Sequence, residues 1–105
     1  MQTLVAGHKY TLDNFEKTAN AGENVIQFIQ KEPPTSDSTE LVTVKDGTTN
    51  EEVLAMLIDR MQYLQSKHPC RENAIVLTNL EESLMWLNKR TADRKARGVE
   101  GTNAK

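Results

Sequence analysis

With 105 residues, 37% of them hydrophobic and 27% charged, and a mean hydropathy of -0.61, the chain reads as one small globular domain, 1–105, whose modest core a partner subunit can complete. No apolar run approaches the roughly 20 residues of a membrane span, MQTLVAGHKY lacks the basic-then-apolar order of a signal peptide, and the single Cys70 cannot form an internal disulfide. A cytoplasmic protein with no membrane partner is expected. The net charge of -2 is unevenly spread: from Trp86 onward six Lys/Arg face two acids, a balance of +4, which leaves -6 for the rest. An acidic body with a basic end suits an anionic partner that meets only that end.

Residues 1–47 read as short strands. His8 to Phe15, Asn24 to Lys31 and Glu40 to Lys45 alternate apolar and polar residues and predict one small antiparallel sheet, with KEPPTSDSTE as an exposed loop. Asp46-Gly47 punctuates the third strand. Residues 48–98 read as a helical hairpin. Thr49 with Glu52 has the form of a capping box, and Val53, Leu57, Met61 and Leu64 recur at helical spacing up to about Lys67. Pro69 makes SKHPC the bend, and a second helix is expected from about Cys70 to about Arg97, with the stripe Leu77, Leu80, Leu84 and Leu87 and a glycine cap at Gly98. Its roughly 40 Å exceeds what one small core needs, so part of it should pack on another copy. Residues 99–105 form a tail. The fold class is α+β: a small N-terminal antiparallel sheet, then a long C-terminal helical hairpin, assembled as an oligomer.

Catalytic chemistry finds little support. His68-Pro69-Cys70 is the one place where a base and a nucleophile lie close in sequence, and no third group completes the arrangement or supplies metal-ligand spacing. Glu81 and Glu82 diverge by about 100° around a helix. No catalytic residue, metal or cofactor is assigned. The basic end offers more: Arg90, Arg94 and Arg97 fall at i, i+4 and i+7, in line with Trp86, and guanidinium forks suit phosphate oxygens. The same spacing also describes a solvated helix end with cations on its dipole. Trp86 itself is expected to pack at a hairpin or subunit contact, since its ring is costly to leave in water. Tyr63 projects off the apolar stripe, free to stack on a base or to cover an interface, and Asn73 can read a polar edge or serve local capping. GVEGT, Gly98 to Thr102, offers either close backbone approach to phosphate or a plain helix cap.

The runs DGTTNEEVLAMLIDRM and PCRENAIVLTNLEESLMWLNKRTADRKARGVEGT resemble the phage Thoeris anti-defence sponges of the first type, whose helical hairpin is shared with phage anti-CBASS cyclic-nucleotide sponges. The likeness covers nearly all of residues 46 to 102. HKYTLDNFE and NVIQFIQKE are similar to that family's sheet region. The resemblance implies a protein that binds, without destroying it, the glycocyclic ADP-ribose made by a TIR enzyme, so that a downstream NAD-depleting effector stays off. It further implies cyclic dinucleotides or trinucleotides as ligands of a separate site, and self-association to a dimer or hexamer. Carried over residue by residue, Tyr63 stacks on adenine where the family often has phenylalanine, Asn73 reads a polar edge, and Arg90 and Arg94 hold phosphates. The second site falls at Arg97, Gly98, Val99, Gly101 and Thr102.

Asn73 and Arg90 are 17 residues apart, about 25 Å along a continuous helix, too far for one chain to clasp a ligand on the order of 10 Å across. Two antiparallel copies could, giving two equivalent sites per two-fold dimer. The rival reading from another class is a nucleic-acid-binding phage regulator using the basic helix end. An acidic body speaks against DNA or RNA, which call for a broad positive face.

Overall fold

A computed structural model describes residues 1–18 and 22–105, in two compact units, Met1–Thr49 and Asn50–Lys105. The first unit contains β1 (Gln2–Val5), β2 (Lys9–Leu12), β3 (Asn24–Gln27), β4 (Gln30–Glu32) and β5 (Val42–Lys45); the second contains α1 (Asn50–Lys67) and α2 (Arg71–Ala96). Antiparallel strands followed by a helical hairpin are the architecture expected from the pattern. The strands, however, form two sheets, β1-β2-β3 and β4-β5, where one was expected. β1 was missed: its Gln2–Val5 segment is short and wholly exposed, so it carries no alternation to read.

The strand expected to run unbroken from Asn24 to Lys31 changes partner in its middle. Asn24–Gln27 pairs with β2, with Tyr10 opposite Ile26, while Gln30–Glu32 pairs with β5. Between them the backbone makes a corner: Phe28 N–H donates to the His8 carbonyl at 2.6 Å, Ile29 N–H to the Thr48 carbonyl at 2.8 Å, and Thr48 N–H to the Gln27 carbonyl at 2.8 Å. The Phe28 ring meets Tyr10 edge to face, centroids 6.0 Å apart. Gly47 makes the corner possible. A Cβ there would collide with the Gln27 carbonyl oxygen and lie 2.7 Å from the Phe28 carbonyl carbon, so a side chain would force the two backbones apart.

α1 begins directly after Thr49 with Glu51 and Glu52 in its first turn and ends on Lys67, charges that complement the helix dipole at both ends. The bend uses Cys70 as the N-cap of α2, so Pro69 lies just outside that helix. Gln65 locks the bend: its side chain donates to the Cys70 carbonyl and accepts from Cys70 N–H, both at 3.0 Å. On α2 the half-buried positions are Asn73, Leu77, Leu80, Leu84, Leu87 and Thr91, ending on buried Arg94. Their alternating spacing of four and three is the seam of an antiparallel helix pair. α1 turns Val53, Leu54, Ile58, Met61 and Leu64 toward shelter, whereas Leu57, expected in its stripe, is 40% exposed at the margin.

Two helices share one seam and cannot enclose a core. No hydrophobic side chain among the described residues is buried, and Met56, Tyr63, Ile75, Val76, Met85 and Trp86 of the hairpin are exposed. No helix is long and apolar enough to cross a membrane.

Candidate functional site

The basic end of α2 is built around a cap and a buried cation. Gly98 adopts φ +72°, its N–H donates to the Lys95 carbonyl at 3.1 Å, and Val99 N–H donates to the Arg94 carbonyl at 3.0 Å. This pair of bonds is a Schellman motif, which needs a residue at ease with positive φ. The chain then folds back over the helix end. Arg94, only 7% exposed, donates from Nη1 to the Ala104 carbonyl at 2.7 Å, and from Nη2 to the Val99 and Thr102 carbonyls at 2.9 and 2.8 Å. Its Nε lies 3.4 Å from Glu100 Oε2. A buried guanidinium must satisfy its donors, and the tail carbonyls do so here.

Arg97 and the other GVEGT residues belong to the same construction. Arg97 Nη1 donates to the Lys105 carbonyl at 2.8 Å, the Thr102 hydroxyl donates to the Val99 carbonyl at 2.6 Å, and Gly101 adopts φ +82°. The structure therefore brings Arg97, Gly98, Val99, Gly101 and Thr102 together in one turn, whose Val99 and Thr102 carbonyls accept from Arg94.

Beside this turn lies an open cleft of about 400 Å³, lined by Trp86, Lys89, Arg90, Asp93, Arg94, Arg97 and Lys105. It is shallow and largely open, and the charge of its lining sets it apart, five Lys/Arg side chains against one acid. Trp86, Arg90, Asp93 and Arg97 occupy one helix face at successive spacings of four, three and four. The alignment read from the arginine spacing is present, with one difference: Arg90 and Arg97 are exposed, while Arg94 is turned toward the tail. Asp93, the single acid in the cleft, pairs with Lys89 at 2.9 Å. Trp86, expected at a hairpin or subunit contact, is 56% exposed and does not pack into the hairpin seam. Trp86 stands in line with the arginines as the spacing indicated, whereas Lys89 was missed by sequence reasoning; Trp86-Lys89-Asp93-Arg97 at i, i+3, i+7 and i+11 was the available signal.

The other candidate residues sit at the opposite end of α2. Tyr63 is 59% exposed, with Lys67 Nζ 5.6 Å from its ring centroid, a cation already placed over the aromatic face. Asn73 is half-buried on the seam side, and its backbone N–H donates to Cys70 Sγ at 3.4 Å. The local capping considered for Asn73 thus falls to Cys70. Because α2 is one unbroken helix, the 17 residues from Asn73 to Arg90 span about 25 Å. One chain does not bring Asn73 and the arginines around one small ligand. Cys70 is exposed, and the described residues contain no group of metal-ligating side chains.

A family model described as Acb2/Tad1, hairpin domain, matches residues 20–92. Thoeris anti-defense 1 of Bacillus phage SBSphiJ7 is 61% identical over 61 residues, which make up 57% of this chain and 43% of that relative. The match spans less than half the relative's length.

Proposed function

The chain belongs to the Acb2/Tad1 hairpin-domain family, and from that premise we propose that it binds and sequesters a nucleotide-derived defence signal, glycocyclic ADP-ribose, thereby inhibiting Thoeris defence. The observation that carries this reading is the cleft at the end of α2, where Lys89, Arg90 and Arg97 surround an exposed tryptophan. Guanidinium and ammonium groups take up a pyrophosphate, and aromatic faces take up a base. The similarity to a phage protein named Thoeris anti-defense 1 supports the same reading. Capture is stoichiometric and the ligand is returned unchanged, in the host cytoplasm during infection.

The ligand pocket is shared between copies. Tyr63 and Asn73 of one subunit face Arg90 and Arg94 of the other, because the length of α2 separates them within a chain. The exposed apolar residues of the hairpin favour such assembly to a dimer or hexamer. Cyclic dinucleotides or trinucleotides are the ligand class of the second site, at Arg97 and the Gly98–Thr102 turn.

Calorimetry of the full chain against cyclic ADP-ribose isomers and cyclic oligonucleotides, beside filter binding to duplex DNA and RNA at moderate salt, tests this. Saturable binding of the small ligands without retention of duplexes is expected. The opposite pattern would replace capture with nucleic-acid recognition. The shared pocket has its own test in subunit exchange. Tyr63→Ala and Arg90→Ala proteins, each weakened at least tenfold, should regain tight binding when mixed, at about one site per heterodimer. Exchange verified by mass without recovery would place the pocket within one chain.

A further inference from the structure

Trp86 is the chain's lone tryptophan, and it stands more than half exposed on the wall of the basic cleft. An indole left in water carries a standing cost that contact with another flat or apolar surface removes. Its neighbours on the helix face decide which surface fits. At i-4, i+3, i+4 and i+7 stand Glu82, Lys89, Arg90 and Asp93, all charged and all exposed. An apolar subunit interface centred on Trp86 would have to bury these charges, at a penalty that offsets the contact. A ligand that is aromatic at one end and anionic at the other meets the ring and the cations together.

The tail narrows the assignment further. Arg94 is engaged with the carbonyls of Val99, Thr102 and Ala104 and with Glu100. Lys89, Arg90, Arg97 and Lys105 are the other cations lining the open cleft beside Trp86, and of these Lys89 pairs with Asp93 and Arg97 donates to the Lys105 carbonyl, so Arg90 is the guanidinium most available to a ligand. We infer that Trp86 is a direct ligand contact, stacking on the nucleobase while the neighbouring guanidinium of Arg90 takes the adjoining pyrophosphate. The inference rests on nucleotide capture as the function. Within a shared pocket, Trp86 covers the face of the base opposite to Tyr63 of the partner subunit.

The lone indole reports on itself. Titration of the wild-type protein with glycocyclic ADP-ribose should quench tryptophan emission along the same saturation curve that calorimetry gives. Trp86→Ala should weaken binding at least tenfold with melting temperature and oligomer size unchanged, and Trp86→Phe, which keeps a stacking face, should stay within about threefold of wild type. Binding by calorimetry without a change in emission, or a Trp86→Ala protein of wild-type affinity, would overturn the stacking role and leave capture standing. A changed oligomer size in Trp86→Ala would make the residue an interface anchor instead. Failure of the wild type to bind any cyclic ADP-ribose isomer would end the capture reading and this inference with it.

Discussion

In the strand unit the decisive contacts run from backbone to backbone, whereas in the hairpin they run from side chains. The corner between β3 and β4 rests on the mutual bonds of Gln27, Ile29 and Thr48 and on the bare Cα of Gly47. The hairpin rests on a leucine seam, on Gln65 across its bend and on Arg94 across its end. Side-chain contacts leave a periodic trace in a sequence, and backbone contacts leave almost none. The two units should therefore fail in different ways when single atoms are added or removed.

The largest effect is expected from Gly47→Ala, whose added methyl meets backbone atoms that cannot swing aside. A destabilisation of roughly 3 kcal/mol is expected, with loss of hydrogen-exchange protection at the Ile29 and Thr48 amides. Unchanged protection there would show that the corner yields easily. Arg94→Ala comes next, because it removes three charged hydrogen bonds and leaves the tail carbonyls without their donor. It should cost about 2–3 kcal/mol and free the Val99 and Thr102 amides to exchange, and Arg94→Lys, with no planar fork, should restore little. Retained protection in the tail would mean that the tail is held by something else.

Smaller effects sharpen the contrast. Gly98→Ala forces an L side chain into positive φ at the Schellman cap and should lower stability by about 1 kcal/mol, visible as a shift in the melting midpoint. Gln65→Ala removes two hydrogen bonds in an exposed bend, so roughly 0.5–1 kcal/mol is expected from denaturant unfolding. A loss larger than that of Arg94→Ala would reverse the ranking of the two ends of α2.

The hairpin was legible nearly to the residue: α1 ends at Lys67 as its stripe does, and α2 closes on Gly98. Leu77 through Leu87 told which face of α2 turns inward. The strand unit was legible in kind but not in connection. Nothing in NVIQFIQKE distinguishes a strand that keeps one partner from one that changes partner at Phe28, since both need alternating residues. The candidate site divides along similar lines. Spacing aligned Trp86, Arg90 and Arg97, and the four-and-three step of the leucine stripe, carried on through Thr91, lands on Arg94, which is buried. What spacing could not show is the partner of that guanidinium, because arginines at i, i+4 and i+7 lie within about 60° of one another around the helix and the carbonyls that receive Arg94 come from a tail that folds back only in three dimensions.

Capture without turnover and hydrolysis differ in what the protein releases. The protein is saturated with glycocyclic ADP-ribose, washed free of excess, and heat-denatured, and the small molecules are quantified by mass spectrometry. A capturing protein returns the intact cyclic compound in an amount matching the occupied sites. Recovery of a linear or hydrolysed product, accumulating beyond the amount of protein when excess ligand is present, would rule out capture and mark the protein as an enzyme.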